Sequence, residues 1–360
     1  MTKPKKEAYV NQFQDEKQSE LTTGELELIN CISEHVVLHK RLTEGAALIR
    51  RVSQENVVRS EPRHALVIGD AGCGKSTLLD MIESTQPKQA ETFRLGICMN
   101  IPSIMMSLPS AITPRSLAQH MLRSIGDKSS VNGTCFELTE RLCGYVRECK
   151  VKDIYLDELH NMLALGNRRA KGPTARLREA QNWIRGIINA THVTFVLMGT
   201  PQVLELLRDD DQLARRFTHI HSLSPFGRPT KDDTDLVDFF NSLVAGTVGD
   251  LKLFETFDHL AVGNADCNRV YAATGGVPSR ISDLIIAGAL VARRNNSRKF
   301  TMANLAQGFQ QLNATRMRLA REERLRKNRQ LAQDEIFNKQ INPMAANDDL
   351  IHQLVMQMAA

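Results

Sequence analysis

Aromatic residues are scarce in this chain, at 5% of 360 residues, with a single tryptophan. No apolar run approaches the roughly 18 residues that cross a bilayer, and the polar start MTKPKKEAYV lacks the apolar core of a secretory signal. Its seven cysteines show no CxxC spacing, which argues against a zinc site or a disulfide framework. We therefore expect a cytoplasmic protein with reduced thiols and no membrane partner.

Positive charge is concentrated in a few places along the chain. The net charge is +5, and the run 316–329 alone holds seven Arg or Lys residues against two Glu. A second basic cluster comprises Arg168, Arg169, Lys171, Arg176 and Arg178. Such clusters permit a nucleic-acid partner but do not prove one.

Apolar strand patterns alternate with helical patterns over the first two thirds of the chain. Strands are predicted at 64–70, 93–101, 153–159, 193–200 and 217–223. Alternation of this kind predicts an α/β fold, with a wound parallel sheet flanked by helices. Only helical patterns follow, at 232–246, 266–273, 279–294 and 302–329. The hydrophobic content of 42% is sufficient for one large α/β domain and a smaller helical one.

The segment Gly69–Ser76, GDAGCGKS, fits the P-loop pattern G-x-x-x-x-G-K-[ST] without a mismatch. It follows an apolar strand and opens a helix, which is the context that the motif requires. Its glycines let backbone N–H groups turn towards phosphate oxygens, and the helix offers its positive N-terminus. Lys75 is predicted to neutralise the β- and γ-phosphates, and the Ser76 hydroxyl to bind Mg²⁺. The predicted ligands of ATP are Gly69, Asp70, Ala71, Gly72, Cys73, Gly74, Lys75, Ser76 and Thr77.

Two acidic residues end the apolar strand DIYLDE. Asp157 is predicted to hold Mg²⁺ through water, and Glu158 to polarise the attacking water. The plainer interpretation is that both acids cap the next helix, but the P-loop favours the catalytic one. These residues together predict a magnesium-dependent ATPase that converts ATP and water to ADP and phosphate.

Polar residues elsewhere add candidates to this site. Thr200 ends the strand VTFVLMGT, where it either contacts the γ-phosphate, caps the helix that begins at Pro201, or does both. Arg215 and Arg216, in DDDQLARRF, either stabilise charge at the site of a neighbouring subunit or form a solvated helix end. Arg280, in GGVPSRI, either reaches the nucleotide or lies on the surface.

Six stretches resemble, in this order, the TniB/TnsC family of AAA+ transposition regulators: GDAGCGKS, DIYLDELHNML, VLMGTPQVL, DDDQLARRF, SLSPFG and ATGGVPSRI. They span roughly residues 64–285, and GTPQ and QLARRF are more specific to this family than the P-loop. The resemblance implies an AAA+ fold with a small helical lid domain. It also implies that Thr200 is sensor 1, that Arg215 or Arg216 is a trans arginine finger, and that Arg280 is sensor 2.

The resemblance further implies ATP-dependent rings or helical filaments on duplex DNA. Such an assembly marks a target site and recruits a DDE-class transposase. We expect slow ATP hydrolysis to drive disassembly, because a switch must hold its ATP state long enough for its partners to assemble. A separate target-selection factor is implied, either an RNA-guided complex or a sequence-specific DNA binder. The run DE-x-H-N places His160 and Asn161 after Glu158, either to couple nucleotide state to DNA or as an ordinary helix-starting turn.

Two basic groups are candidates for DNA contacts. The resemblance favours the segment after the second strand, which carries Arg115, Arg123 and Lys128. The second candidate is the group that follows the acidic strand end, Arg168, Arg169 and Lys171. The residues themselves do not choose between the two groups, and the plainer interpretation of each is an ordinary solvated side chain. Either group would bind the phosphate backbone, because no base-reading motif is visible.

We predict five parts of the chain from these patterns. They are a disordered tail at 1–22, an N-terminal helical region at 23–60, the nucleotide-binding α/β domain at 61–225, the helical lid at 226–313, and a basic helix with a partner-binding tail at 314–360. Two other functions remain open. One is an IstB- or DnaC-like helicase loader, and the other is a P-loop small-molecule kinase, which needs an acceptor pocket.

Overall fold

The computed structural model describes residues 21–85, 89–93, 96–110, 112–163, 173–208, 210–246, 254–327 and 344. It divides into two compact units, an α/β unit at 38–225 and a helical unit drawn from 1–37 and 226–360. The N-terminal region predicted as one part at 23–60 is split between them. Helix α1 (Thr23–Glu34) belongs to the helical unit, and helix α2 (Lys40–Asn56) belongs to the α/β unit.

The α/β unit alternates strands and helices as predicted. Its strands are β1 (Ala65–Ile68), β2 (Gln89–Phe93), β3 (Gly96–Asn100), β4 (Ser103–Ser107), β5 (Asp153–Asp157), β6 (Thr194–Gly199) and β7 (His219–Ser222). Its helices after α2 are α3 (Lys75–Ser84), α4 (Pro114–Ile125), α5 (Cys135–Glu148), α6 (His160–Leu163), α7 (Pro173–Thr191) and α8 (Asp211–Arg216). The segment after β6, predicted as a helix, is a 3₁₀ helix at Pro201–Leu206.

Five strands form one parallel sheet in the order β4-β5-β6-β1-β7. Strand β1 is flanked on both sides, since Leu66 pairs with Leu197 of β6 and with Ile220 of β7. The predicted wound parallel sheet is therefore confirmed. Because the strands are parallel, the residues that follow β1, β5 and β6 all lie along one edge of the sheet.

The stretch predicted as the second strand, 93–101, contains strand β3, but its predicted place in the parallel sheet is wrong. In the structure β3 pairs antiparallel with β2, in a two-stranded sheet of its own. The sheet strand is β4, which begins directly after Pro102 and pairs with β5 from Ser103↔Asp153 onwards. Because Pro102 carries no backbone N–H, it interrupts an apolar stretch that otherwise reads as continuous, and only the part after it enters the parallel ladder.

Helices cover both faces of the sheet. Helices α4, α5 and α7 bury an apolar cluster with the sheet, and the Trp183 indole Nε1 donates to Thr139 Oγ1 at 3.1 Å within it. Helices α2 and α3 contact the strands as well, α2 at β1, β6 and β7 and α3 at β4 and β5. Capping boxes at Thr113 and Thr134 fix where α4 and α5 begin.

The helical unit contains α1, α9 (Asp235–Val244), α10 (Ala265–Thr274), α11 (Pro278–Arg294) and α12 (Met302–Lys327), with the short strands β8 (Thr256–Phe257) and β9 (Lys299–Phe300). Helices α11 and α12 approach closely, since a Cβ on Gly308 would lie 2.5 Å from the backbone N of Gly288. Met344 is buried in the same apolar core. The Thr22 backbone N–H and the Arg294 guanidinium hold the pKa of Glu25 at about 2, well below its usual range.

Across the described residues no single helix is long and apolar enough to cross a membrane. Helices α10 and α11, bent by 109°, pass that test only as a pair. Both contribute side chains to the core of the helical unit.

His64 directly precedes β1 and is fully buried. Its Nδ1 accepts a hydrogen bond from the backbone N of Phe195 at 3.1 Å, and its ring lies 4.9 Å from that of Phe217. Burial, with smaller contributions from the charges of Arg216 and Arg63, lowers the pKa of His64 to about 3. The imidazole is therefore neutral in the folded protein at neutral pH.

This buried histidine predicts a loss of stability in acid. In the unfolded chain histidine titrates near pH 6.5, so the unfolded state binds the extra proton as pH falls from about 6.5 to about 3. Over that window His64 should lower the unfolding free energy by up to about 1.4 kcal/mol per pH unit. His64→Asn, whose amide oxygen still accepts from Phe195, should show a flatter pH dependence in denaturant titrations at pH 7 and 4.5. The exposed control His120→Asn should follow the parent protein; an unchanged slope in His64→Asn would contradict the assignment.

Candidate nucleotide-binding site

The turn after β1 is confined by the neighbouring strand ends. The Gly69 backbone N donates to Gly199 O at 3.0 Å, and a Cβ on Gly69 would lie 2.4 Å from Leu223 O. Only glycine fits in this position. Gly72 and Gly74 have φ of +80° and +92°, which glycine adopts without strain, and Gly74 is the N-cap of α3. The chain therefore reverses sharply here and enters α3 with the helix N-terminus facing the turn.

Lys75 is buried at the first position of α3, with 5% of its surface exposed. Its Nζ donates to the backbone oxygens of Gly69 at 2.9 Å and Asp70 at 3.0 Å. Two carbonyl dipoles do not neutralise a buried ammonium, so the remaining positive charge favours the binding of an anion at this turn. Cys73 is also buried here. Burial raises the pKa of its thiol, so the side chain adds no negative charge to the turn at neutral pH.

The strand β5 brings a carboxylate to the start of α3. The Ser76 hydroxyl donates to Asp157 Oδ2 at 3.1 Å, and Asp157 Oδ1 accepts from the Glu158 backbone N at 2.7 Å. The Asp157 carboxylate therefore faces the P-loop and does not cap a following helix. The remaining predicted nucleotide ligands lie along the same turn and first helical turn, at Ala71 and Thr77.

Ser76 and Asp157 offer a metal one hydroxyl and one carboxylate. That set suits Mg²⁺, whereas a metal held entirely by protein side chains would need more ligands. Across the described residues no cluster of three or more His, Cys, Asp or Glu side chains is placed to hold a metal. Mg²⁺ retains several waters and completes its shell with phosphate oxygens, so one hydroxyl and one carboxylate are the ligands it needs from the chain. The residues present fit the predicted ion.

Glu158 has a left-handed backbone conformation, with φ of +56°. Such a conformation is uncommon for a residue with a side chain and is found preferentially at functional sites. Its side chain is 35% exposed, and its Oε2 lies 3.1 Å from His160 Nε2. The carboxylate therefore stands at the carboxyl edge of the sheet, open to solvent on one side and paired on the other.

Thr200 follows β6 and precedes the 3₁₀ helix at Pro201. It occupies the N-cap position, yet its side chain makes no capping hydrogen bond. Its Oγ1 is buried and has no hydrogen-bond partner among the residues that the structure describes. A buried hydroxyl without a partner normally marks a missing water, ion or ligand. Among the described residues Thr200 thus makes no capping hydrogen bond, and its contact with a ligand stays a prediction.

The two candidate arginine fingers differ in their surroundings. Arg216 NH1 donates to Asn189 Oδ1 at 2.6 Å, which ties that guanidinium to α7. Arg215 is exposed, and only its Nε is bonded, to Asp211 O at 3.3 Å. The Arg63 guanidinium donates to the Arg215 backbone oxygen. This bond holds the Arg215 backbone and does not involve the Arg215 side chain. Within the described chain the terminal nitrogens of Arg215 are thus available to another molecule.

Arg280 lies in the helical unit, in the first turn of α11. Its side chain is exposed and makes no hydrogen bond or ion pair to any described residue.

The predicted DNA-contacting residues also differ in their surroundings. The Arg115 guanidinium donates to Gly133 O at 3.0 Å and holds the loop between α4 and α5. Arg123 and Lys128 are exposed, with no side-chain hydrogen bond or ion pair in the described part of the chain. Arg168, Arg169 and Lys171 lie outside the described residues.

Sequence reasoning gave no role to Gly199, although the quoted stretch VLMGTPQVL contains it. Its backbone oxygen accepts from the Gly69 N–H, and a Cβ at this position would lie 2.5 Å from Val203 Cγ2 and 3.4 Å from His160 Nδ1. The glycine before Thr200 was the available signal. Its structural role depends on Gly69 and His160, which are 130 and 39 positions away in the sequence and become its neighbours only in the folded protein.

Comparisons with known structures give the same architecture. The Aeropyrum pernix ORC2 protein, solved as ADPNP–ADP complexes, aligns with a TM-score of 0.51 at 12% identity, over 91% of this chain and 97% of that one. Its ADP form aligns with a TM-score of 0.50 at 12% identity, over 90% and 96%. Cdc6p from Pyrobaculum aerophilum aligns with a TM-score of 0.50 at 16% identity, over 77% and 69%. At these identities the likeness shows the fold alone.

Sequence comparison places the chain more narrowly. No curated protein matches it. A family profile described as "Bacterial TniB protein" matches residues 30–226, more than half of the chain and all of the P-loop, β5 and β6. The chain therefore belongs to the bacterial TniB family, and its α/β unit has the fold of the AAA+ P-loop ATPases.

Proposed function

We propose that this protein is an ATP-dependent regulator of DNA transposition. It oligomerises on target duplex DNA in its ATP state, recruits and activates a DDE-class transposase, and leaves the DNA after hydrolysis. The observation that carries the ATP-binding part is the buried Lys75 ammonium beside the Ser76–Asp157 pair. The transposition part rests on membership of the TniB family.

Each residue of the site has a distinct task in this proposal. Lys75 exchanges its two carbonyl partners for phosphate oxygens, while Ser76 and Asp157 orient the metal. Bound Mg²⁺–ATP supplies the transferable phosphoryl group and the charge that polarises it. Glu158 accepts a hydrogen bond from the attacking water, and the unpartnered Thr200 hydroxyl orients the terminal phosphate or that water. The solved complexes of the A. pernix ORC2 protein hold ligands of the same class, ADPNP and ADP.

The proposal assigns the trans arginine to Arg215, because its terminal nitrogens have no partner in the described chain. Arg280 remains the predicted sensor 2. Arg123 and Lys128 are the proposed phosphate contacts, and Arg115 supports the loop that carries Lys128 by donating to Gly133 O. Contacts of this kind bind DNA of any sequence, so target choice requires a separate factor, either an RNA-guided complex or a sequence-specific DNA binder.

Nucleotide-dependent assembly on DNA tests the proposal. Protein mixed with duplex DNA should sediment as large complexes, and appear as rings or filaments by electron microscopy, with ATP or a non-hydrolysable analogue. ADP or omission of nucleotide should give free DNA. Because phosphate contacts release counterions, complexes should weaken steeply with salt. A small-molecule kinase would show no such nucleotide dependence, and a monomer on DNA under every condition would refute the proposal.

Substitution of Glu158 by glutamine should separate ATP binding from hydrolysis. The amide keeps the size of the side chain but removes the negative charge and the basicity with which the carboxylate polarises water, so we expect turnover to fall about 10² to 10³-fold. ATP affinity should stay within about twofold, and complexes on DNA should persist longer. Phosphate release and the lifetime of the DNA complex measure both effects. Glu140→Gln, an exposed change on α5, is the control; wild-type turnover in Glu158→Gln would remove Glu158 from its role.

A further inference from the structure

The one-turn helix α6 joins the tips of three strands at the predicted catalytic edge. Just before it, the Leu159 backbone N donates to Met198 O of β6 at 2.9 Å. Within it, the Asn161 side chain donates from Nδ2 to Leu108 O, directly after β4, at 2.7 Å. Since α6 itself continues from β5, this single turn fixes β4, β5 and β6 relative to one another.

His160 begins this turn and lies between two of the predicted catalytic residues. Its Nε2 lies 3.1 Å from Glu158 Oε2, within ion-pair distance, and because a carboxylate only accepts hydrogen bonds, any proton shared between these two atoms belongs to the imidazole. Its Nδ1 is buried, without a hydrogen-bond partner in the described chain. That edge of the ring lies against Gly199, where a Cβ would be 3.4 Å from Nδ1. The ring therefore spans the gap between Glu158 and the strand tip that carries Thr200.

Glu158 needs such a support. Its backbone is in the left-handed region, and its side chain is 35% exposed with three rotatable bonds. An unsupported carboxylate would sample several rotamers, of which few direct an oxygen at the attacking water. Among the described residues His160 is the side chain that lies within ion-pair distance of this carboxylate, at Oε2, and Oε1 is left for the water.

We propose that His160 is a positioning residue that sets the direction of the Glu158 carboxylate relative to the β6 tip. It acts through Glu158 and exchanges no proton with the substrate. Its removal should therefore lower the turnover of bound ATP without weakening the binding of ATP. This inference rests on the proposed ATPase function and adds a residue to the machinery of that site.

Substitutions of His160 test the positioning role. His160→Leu keeps the bulk against Gly199 but removes the donor, and we expect kcat for ATP hydrolysis to fall about 10 to 100-fold. The dissociation constant of a fluorescent ATP analogue should stay within about twofold. His160→Gln, whose side-chain amide can donate to the same oxygen, should recover most of the loss. His120→Leu, at an exposed position on α4, should leave kcat unchanged.

A double-mutant cycle distinguishes action through Glu158 from any other effect. In the Glu158→Gln background His160→Leu should cost less than about twofold, because the carboxylate it directs is already gone. An equal fold loss in both backgrounds would overturn the proposal. So would a loss of ATP affinity, a lower melting temperature that accounts for the lost activity, or no recovery by His160→Gln.

The outcomes also separate this inference from the proposed function. If Glu158→Gln reduces turnover but His160→Leu does not, the positioning role fails and the ATPase assignment stands. If Glu158→Gln itself retains wild-type turnover, the catalytic base has been misassigned, and the positioning role falls with it.

Discussion

Lys75→Ala should abolish ATP binding, with a loss of affinity of at least about 100-fold. Lys75 is buried at the start of α3, and among the described residues its ammonium donates to two backbone carbonyls. Charge-assisted bonds to phosphate contribute about 1.5 to 3 kcal/mol each, so the loss of two corresponds to at least two powers of ten. Titration with a fluorescent ATP analogue measures the affinity directly. Assembly on DNA should disappear in the same variant, because it depends on the bound nucleotide.

Controls must separate this effect from misfolding, since Lys75 also bonds the backbone of the P-loop. The melting temperature without nucleotide should remain close to that of the parent, and Lys40→Ala, an exposed change on α2, should bind ATP normally. Ser76→Ala is a second route to the same site, because it removes the hydroxyl beside Asp157 and leaves the lysine in place. That variant should need more Mg²⁺ for hydrolysis. Undiminished ATP-dependent assembly by Lys75→Ala would show that nucleotide binds elsewhere.

Arg215→Ala should lower ATP hydrolysis by about 10³-fold while ATP binding is preserved. An arginine supplied by a neighbouring subunit stabilises the charge that develops during phosphoryl transfer, and its removal costs about 10³ to 10⁵ in known cases. The matched control is Arg216→Ala, one residue along the chain. Arg216 is bonded to Asn189, so its loss should reduce stability more than turnover. A larger loss of turnover in Arg216→Ala would reverse the assignment.

Mixing two inactive variants tests whether Arg215 acts across a subunit boundary. Arg215→Ala retains Glu158, and Glu158→Gln retains Arg215. In a mixed oligomer a complete site forms wherever the first variant's nucleotide faces the second variant's arginine, so activity should exceed the sum of the separate variants. No gain on mixing, with oligomers verified by sedimentation, would place Arg215 outside the neighbouring site.

The P-loop was predictable because its chemistry is contiguous in the chain. Eight consecutive residues specify the turn, the buried lysine and the helix start, and the structure builds them as the pattern indicates. The acids at the end of β5 were predictable for a similar reason. An apolar strand that ends in carboxylates places them at the carboxyl edge of a parallel sheet. Their orientation was not predictable, since the bond from Ser76 to Asp157 joins residues 81 positions apart.

The second sheet strand shows where local patterns fail. The stretches 93–101 and Ser103–Ser107 are both apolar, and strand propensity does not distinguish between them. The parallel ladder forms at Ser103 because the backbone of β4 meets β5 there, after Pro102 interrupts the chain. Pairing of this kind is a contact between distant segments, and propensity within one segment carries no information about it.

The surroundings of the ambiguous side chains also come from the tertiary structure, and their roles stay predictions. Thr200 reads equally well as a cap or a ligand contact, and only the burial of its hydroxyl without a capping bond favours the ligand. Arg215 and Arg216 are adjacent in sequence, and only the position of Asn189 on α7 distinguishes them.

The sequence by itself determined the class of chemistry, a triphosphate turn with a following acidic strand end, and it indicated the TniB family. The tertiary structure decided which strand enters the sheet, which arginine is available, and that His160 stands between Glu158 and the β6 tip. The physical reason is the distance along the chain over which each interaction acts. Backbone conformation and local charge follow from neighbouring residues, whereas the direction and partner of a side chain depend on residues brought together by packing.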